Sequence, residues 1–397
     1  MPSRSRMSAV QSPIIPIVGE LIRSTPGTIS LGQGMVSWGP PPEAIEAARD
    51  ACGAPASHRY GPVEGAPALV EALARKLRDE NGLDLDATRI LVTAGSNMAF
   101  LSVVQAITSA GDEIVLPAPY YFNHEMAVRI ADCVPVIVPT DSSYQLDPDA
   151  LARAITPRTR AIVTVSPNNP SGAVYPAGAL RAVNELCARH GLSHIADEAY
   201  EYFTWEGAVH FSPGSLPGAG AHTISLYSLS KAYGFAGWRV GYMVVPERFN
   251  DAVYKVQDTV LICPPLVSQA AALACVTTGR AWTARFLDPL AAVRRDVLSL
   301  FADIGDVCDV PAPGGAFYCL PRLRVPLDGM TLMQRLVREH RVAAIAGETF
   351  GLTEGCYLRV SYGALAADTV HEGMRRLVDG VRHLAASSVI PRSPGSP

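Results

Sequence analysis

Between residues 90 and 227 the chain repeats one pattern: a short apolar run, then a stretch of helical periodicity, then another apolar run. The runs are 90–93, 113–116, 134–138, 161–165, 192–196 and 223–227. They are predominantly apolar rather than alternating, as expected of strands covered on both faces. The intervening segments have helix signals. Residues 98–109 place Leu101, Val104 and Ile107 on one face and meet Gly111 at the end. Asp147 and Pro148 form a cap and first-turn pair for a helix running to Ile155. Residues 177–190 turn Leu180, Val183 and Cys187 inward, with Gly191 just past the end. Strand–helix–strand order of this kind needs crossover connections, hence a mostly parallel sheet with helices on both faces.

The last hundred residues follow a different pattern. A long helical stretch, 282–303, leads to the turn Pro311-Ala312-Pro313-Gly314-Gly315. A strand at 316–320, a helix at 331–339 and strands at 342–345 and 357–361 follow. A closing helix aligns Val370, Met374, Leu377, Val381 and Leu384 on one stripe. This reads as a smaller α+β unit packed with the N-terminal segment. Residues 1–12 and 386–397 are rich in Ser, Pro and Arg without apolar periodicity and read as disordered tails.

Charge and cysteine content narrow the function. A net charge of -4 provides no field for nucleic acid or an anionic membrane. The eight cysteines form no C-x-x-C pair, so zinc and dithiol chemistry are not indicated, and a reduced, cytoplasmic setting is expected. The apolar stretch 14–22 is broken by Pro16 and Glu20 and lacks a cleavage pattern, so it does not read as a signal peptide. No apolar run approaches the ~20 residues of a membrane helix. His190 and His194 are four apart, but Gly191 lies between them and a strand begins there, so no metal site is expected.

The chemistry concentrates where strands end. Directly after the run 223–227 stands Ser228-Leu229-Ser230-Lys231, continuing through Gly237-Trp238-Arg239-Val240-Gly241-Tyr242. One permanent cation and two hydroxyls suit a phosphate dianion. A lysine beside other cations in a shielded site has a lowered pKa and becomes a nucleophile. Asp197, in Asp197-Glu198-Ala199-Tyr200, ends another buried strand, where open α/β sheets bind ligands. Asn168-Asn169-Pro170-Ser171-Gly172 ends a third. Gly95-Ser96-Asn97 joins a strand to a helix start, an anion site by backbone alone. Arg359 sits among apolar residues in a strand and needs an anion to offset its burial.

Taken together and in this order, these strings resemble the class I/II pyridoxal-phosphate-dependent aminotransferases, fold type I. The resemblance spans about residues 28 to 385. It implies a mostly parallel seven-stranded sheet in a large domain (46–280), with a smaller α+β domain built from an N-terminal arm (13–45) and residues 281–385. It implies that Lys231 holds pyridoxal 5'-phosphate covalently and then moves the substrate proton. Asp197 would pair with the pyridine nitrogen, while Tyr200 and Asn169 would donate to the ring oxygen. Gly95, Ser96, Asn97, Ser228, Ser230 and Arg239 would hold the phosphate, and Tyr121 (with Tyr120 as the adjacent alternative) would stack on the ring. Tyr60 would reach the phosphate of a second subunit, implying a homodimer with shared sites. Arg359 would bind the substrate carboxylate, with Asn169 beside it and Gly34 on the loop that closes over it.

Two departures bear on specificity. Met35-Val36-Ser37-Trp38 replaces the usual Pro-Asp after the glycine loop, and Asn97 stands where some dicarboxylate-specific relatives carry a lysine. The expected activity is transfer of an amino group from an L-amino acid to a 2-oxo acid in two half-reactions, on neutral or aromatic rather than strictly dicarboxylic substrates. A pyridoxal-phosphate lyase on the same constellation, by C–S β-elimination or an ACC-synthase-like cyclisation, is the alternative.

Overall fold

The structure is a computed structural model that describes residues 5–386. Its centre is a seven-stranded sheet of β1 (Thr88–Thr93), β2 (Glu113–Ala118), β3 (Val134–Pro139), β4 (Thr159–Val165), β5 (Ser193–Asp197), β6 (Thr223–Ser228) and β7 (Gly241–Pro246). The spatial order is β1-β7-β6-β5-β4-β2-β3. All neighbours are parallel except β7, which runs antiparallel to both β1 and β6. Six of these strands lie where the apolar runs predict. The seventh, β7, is hidden in sequence because it continues from the Arg239-Val240-Gly241 string without a turn signal.

The apolar runs are continuous because both faces of the sheet are covered. Period-two alternation sends Ile114, Leu116, Ala161 and Val163 into one core with Phe100, Val103 and Val104. Val115 and Ile162 point the other way, against Val183, Leu186 and Cys187. Each fully buried Val, Leu, Ile or Phe among them contributes about 1.5–3 kcal/mol.

Helix 177–190 forms as read, with Gly191 in the left-handed region at φ 66°. The helix after β1 runs Ser96–Ile107, and its buried positions are Ala99, Phe100, Ser102, Val103 and Val104. Of the expected face only Val104 is fully buried; Leu101 and Ile107 are partly exposed. This helix packs against helices Phe122–Ile130 and Asn250–Val260 as well as the sheet, so its buried side is wider than one stripe. The helix opened by Asp147 stops at Arg153 rather than Ile155.

The second sheet is built around Cys356–Ser361, which pairs antiparallel with Tyr318–Cys319, Arg322–Leu323 and Ile345–Ala346. Ile29–Ser30 pairs in parallel with Val342–Ala343, joining the N-terminal segment to the C-terminal elements. The closing helix Ala367–Ala386 buries all five residues of its predicted stripe. The tail expectation differs at residues 5–12. Arg6–Ala9 makes a 3-10 turn, and the Gln11 amide donates to Glu125 Oε2 at 3.2 Å. Residues 1–4 and 387–397 lie outside the described residues. The stretch 14–22 forms a helix, Ile14–Arg23, with Ile14 and Val18 buried.

Register brings the strand ends together. Gly241 is opposite both Thr93 of β1 and Ser228 of β6. A Cβ there would lie 2.7 Å from the Tyr227 carbonyl and 2.8 Å from the Gly95 backbone. Only glycine lets the turn after β1 approach the segment that carries Lys231.

Candidate active site

A cavity of about 220 Å3 opens at the carboxyl ends of β1, β4, β5 and β6. Its walls include Gly34, Ser96, Asn97, Tyr121, Asn169, Asp197, Tyr200, Ser228, Ser230, Lys231, Arg239 and Arg359. Residues scattered over more than three hundred positions meet here: Ser96, Tyr121, Asn169, Asp197, Ser228 and Lys231 stand at or just past the carboxyl ends of sheet strands, Arg239 just before β7, and Arg359 within a strand of the second sheet.

Lys231 sits in a single helical turn, Leu229–Ala232, whose cap is Ser228: its hydroxyl accepts from the Ser230 N–H at 3.2 Å. Lys231 Nζ donates to the Gly34 carbonyl at 2.6 Å and, among the described residues, has no carboxylate partner. Burial, then the Arg359 and Arg239 guanidiniums, push the ammonium down to about 8, against an upward pull from Asp197.

Asp197 closes β5 and is buried. One oxygen accepts from the Ala199 N–H at 3.1 Å, and the other lies 3.1 Å from His124 Nε2. His124 stacks on Phe100, with ring centroids 3.9 Å apart. Asn169 and Tyr200 converge: Asn169 Nδ2 donates to the Tyr200 hydroxyl at 3.2 Å. Tyr121 lines the cavity, and its hydroxyl accepts from Asn123 Nδ2 at 2.9 Å. Tyr120 does not line it; its ring lies against Gly351 instead.

Arg359 is 2% exposed. Nη2 donates to the Gly32 carbonyl at 2.6 Å and Nη1 to Asn169 Oδ1 at 2.9 Å, while Nε has no partner among the described residues. Its guanidinium lies between the Tyr318 ring (4.8 Å) and the Phe350 ring (5.2 Å). Arg239 has left-handed backbone geometry, φ 55°, and among the described residues donates to the carbonyls of Ala94 and Ala236 alone.

The charged side chains on the cavity wall are therefore Lys231, Arg239, Arg359 and Asp197. Three cations face one carboxylate, and the start of helix Ser96–Ile107 adds a positive dipole end. Such a wall is incomplete without anionic ligands. It fits a phosphate dianion near Arg239 and Ser96, and a carboxylate near Arg359. The lysine between them, with its pKa pushed down to about 8, gives up its proton far more readily than an ordinary lysine.

The structure leaves Tyr60 outside this group: it is 86% exposed and not on the cavity wall. Two polar residues on or behind the wall, His124 and Tyr318, were not given a site role from sequence. His124 stands at the end of the Tyr120-Tyr121-Phe122-Asn123-His124 string, where its proximity to Asp197 depends on how the helix Phe122–Ile130 packs. Tyr318 comes from the second sheet. Its hydroxyl lies 2.8 Å from that of Tyr200, and no local pattern marks it.

A mainly parallel sheet with a buried amine and an anion-ready wall at its carboxyl edge defines a protein that carries a phosphorylated, amine-reactive cofactor. Comparison with known proteins narrows this. Residues 26–377 match the family model described as aminotransferase class I and II. An aromatic aminotransferase of Arabidopsis thaliana is 33% identical over 388 residues, 96% of each chain. A probable aspartate/prephenate aminotransferase of Thermus aquaticus is 38% identical over 304 residues, 76% of this chain and 78% of its own. The solved aspartate aminotransferase of Thermus thermophilus with maleate has a TM-score of 0.88 at 31% identity, covering 96% of this chain and 100% of that one. The chain belongs to the class I and II aminotransferases and is a pyridoxal-phosphate-dependent enzyme that moves an amino group from an amino acid to a 2-oxo acid.

Proposed function

We propose that the substrates are neutral or aromatic L-amino acids and the matching 2-oxo acids. The supporting observation is the charge count on the cavity wall. With Arg239 given to the phosphate, Arg359 is the cation left for the substrate besides the reacting Lys231, and one guanidinium fork suits one carboxylate. The rest of the mouth includes Ile15, Met35 and Phe122, with Asn97 as a neutral polar group. A second carboxylate would lose its hydration there without gaining a cation. The Arabidopsis relative is named for aromatic substrates, the Thermus relatives for aspartate and prephenate.

Pyridoxal phosphate, when bound, supplies an aldehyde that links to amines and a ring that withdraws electrons from the substrate's α-carbon. In our reading Ser228, Ser230, Arg239 and the backbone at Gly95, Ser96 and Asn97 hold its phosphate. Asp197, backed by His124, pairs with the ring nitrogen, and Tyr121 covers one face. Tyr200 and Asn169 donate to the ring oxygen. Arg359 orients the α-carboxylate, which sets the C–H bond toward Lys231 Nζ. Lys231 Nζ takes that proton and returns it one step later. The loop around Gly34, with the unit formed by both chain ends, closes over the substrate and excludes water.

Tyr60, exposed in one copy, would contact the phosphate site of a second, so the working form is a homodimer. A cytoplasmic setting agrees with the eight free cysteines. No helix among the described residues is long and apolar enough to cross a membrane.

The lowered lysine pKa has a kinetic consequence. Only the neutral amine attacks an aldehyde. The rate at which cofactor-free protein takes up pyridoxal phosphate therefore rises with pH and levels off above about 8. An unperturbed lysine would level off near ~10.4. Stopped-flow absorbance over that range decides between them.

The test of the function is the visible spectrum of the loaded protein, titrated with a panel of amino acids. Neutral or aromatic donors should convert the absorbance to the amine form, and a 2-oxo acid should restore it. Conversion by aspartate and glutamate alone would refute the substrate class. Pyruvate and ammonia accumulating without an acceptor would indicate a lyase instead.

A further inference from the structure

Tyr318 is fully buried, yet its hydroxyl reaches the cavity wall. It joins two groups that the proposed chemistry uses separately. Its hydroxyl lies 2.8 Å from that of Tyr200, and its ring lies 4.8 Å from the Arg359 guanidinium carbon. Hydrogen-bond bookkeeping assigns the protons. A guanidinium only donates, so Asn169 Oδ1, at 2.9 Å from Arg359 Nη1, must be the acceptor. That fixes the amide: Nδ2 faces Tyr200 and donates to its oxygen. Burial holds both phenols in the protonated form, Tyr318 up to about 12 and Tyr200 well above its ordinary value. Two protons must then be placed. If Tyr200 gave its proton to Tyr318, the Tyr318 proton would be buried without an acceptor, since among the described residues its hydroxyl has no other hydrogen-bond partner. If Tyr318 donates, its own proton and the Tyr200 lone pairs are used, and the Tyr200 proton is the one left free for a ligand in the cavity that Tyr200 lines.

We propose that Tyr318 is a positioning residue for amino transfer: by donating to Tyr200 it aims the Tyr200 proton at the cofactor's ring oxygen. The inference rests on the reading of Tyr200 as donor to that oxygen. Its second tie is Gly34. A Cβ at residue 34 would lie 2.7 Å from the Tyr318 hydroxyl, so glycine there leaves the hydroxyl free to reach Tyr200. The ring on Arg359 couples the same side chain to the carboxylate clamp through a cation–π contact.

A donor at the ring oxygen favours its anionic form, so weakening the donor shifts the pH-dependent absorbance change of the cofactor-loaded protein upward. Tyr318→Phe keeps the ring over Arg359 and removes only the hydroxyl. Its absorbance midpoint should rise by about half a unit or more, with KM for the amino donor little changed and kcat lower. Tyr200→Phe should shift it further in the same direction, and the double variant should match Tyr200→Phe alone. Site-specific 3-fluorotyrosine at 318, a stronger donor of nearly the same shape, should move the midpoint downward, and it tests the proposal even if Tyr318→Phe folds poorly. An unmoved midpoint in Tyr318→Phe, or a shift that persists undiminished in the Tyr200→Phe background, overturns the role of Tyr318. A wild-type protein with no cofactor absorbance would instead overturn the reading of the site on which the proposal rests.

Discussion

Replacing Lys231 by alanine yields a folded protein that transfers no amino groups. Among the described residues Lys231 supplies the only primary amine on the cavity wall, and two tasks end with it: covalent capture of the cofactor and movement of the α-proton. Positioned acid–base groups alone contribute about 10²–10⁴-fold. With covalent capture also lost, turnover should fall by more than about 10⁴-fold. The fold should survive. The ammonium makes one hydrogen bond, to the Gly34 carbonyl, and its removal relieves repulsion from Arg359 and Arg239. Single-turnover absorbance, with the melting temperature as control, checks both halves. Substantial transfer by folded Lys231→Ala protein would refute the assignment.

Arg359→Ala should act mainly on substrate binding. The guanidinium is nearly inaccessible, held by the Gly32 carbonyl and Asn169, and flanked by two aromatic rings. Nε, without a partner among the described residues, is left for a ligand oxygen. Truncating one partner of a buried, hydrogen-bonded charge pair costs about 2–5 kcal/mol. We expect kcat/KM for amino acids to fall by about 10²–10³-fold, carried chiefly by KM. Arg359→Lys keeps the charge but not the planar fork, so it should recover only part of the loss. Steady-state kinetics with one neutral donor, such as phenylalanine, measures this. An unchanged kcat/KM in Arg359→Ala would show that the carboxylate binds elsewhere.

The motif strings made much of the cavity wall legible before the fold was in view. Lys231, Asp197, Asn169 and Gly95 each follow a buried run, and a residue just past a parallel strand is delivered to the ligand-binding edge of the sheet. Tyr318 and His124 follow no such rule. Tyr318 reaches Tyr200 because Tyr318–Cys319 pairs with the strand carrying Arg359. His124 reaches Asp197 because its helix packs against the one after β1. Ile15 arrives at the mouth from a helix whose sequence showed only a broken apolar run. The helix after β1 shows the same gap in another form. A single apolar stripe predicted Leu101 and Ile107 as core, but two flanking helices moved the burial to Ala99, Phe100 and Val103.

The sequence by itself determined the parallel core, because uninterrupted apolar runs are stable only between two covered faces. It also determined which residues stand at strand ends, because that follows from chain order alone. Only the tertiary structure decided that three cations share one cavity with a single carboxylate, and that the Asn169 amide must face Arg359 with its oxygen. Those facts depend on distances between segments far apart in the chain, and local propensity carries no information about such distances.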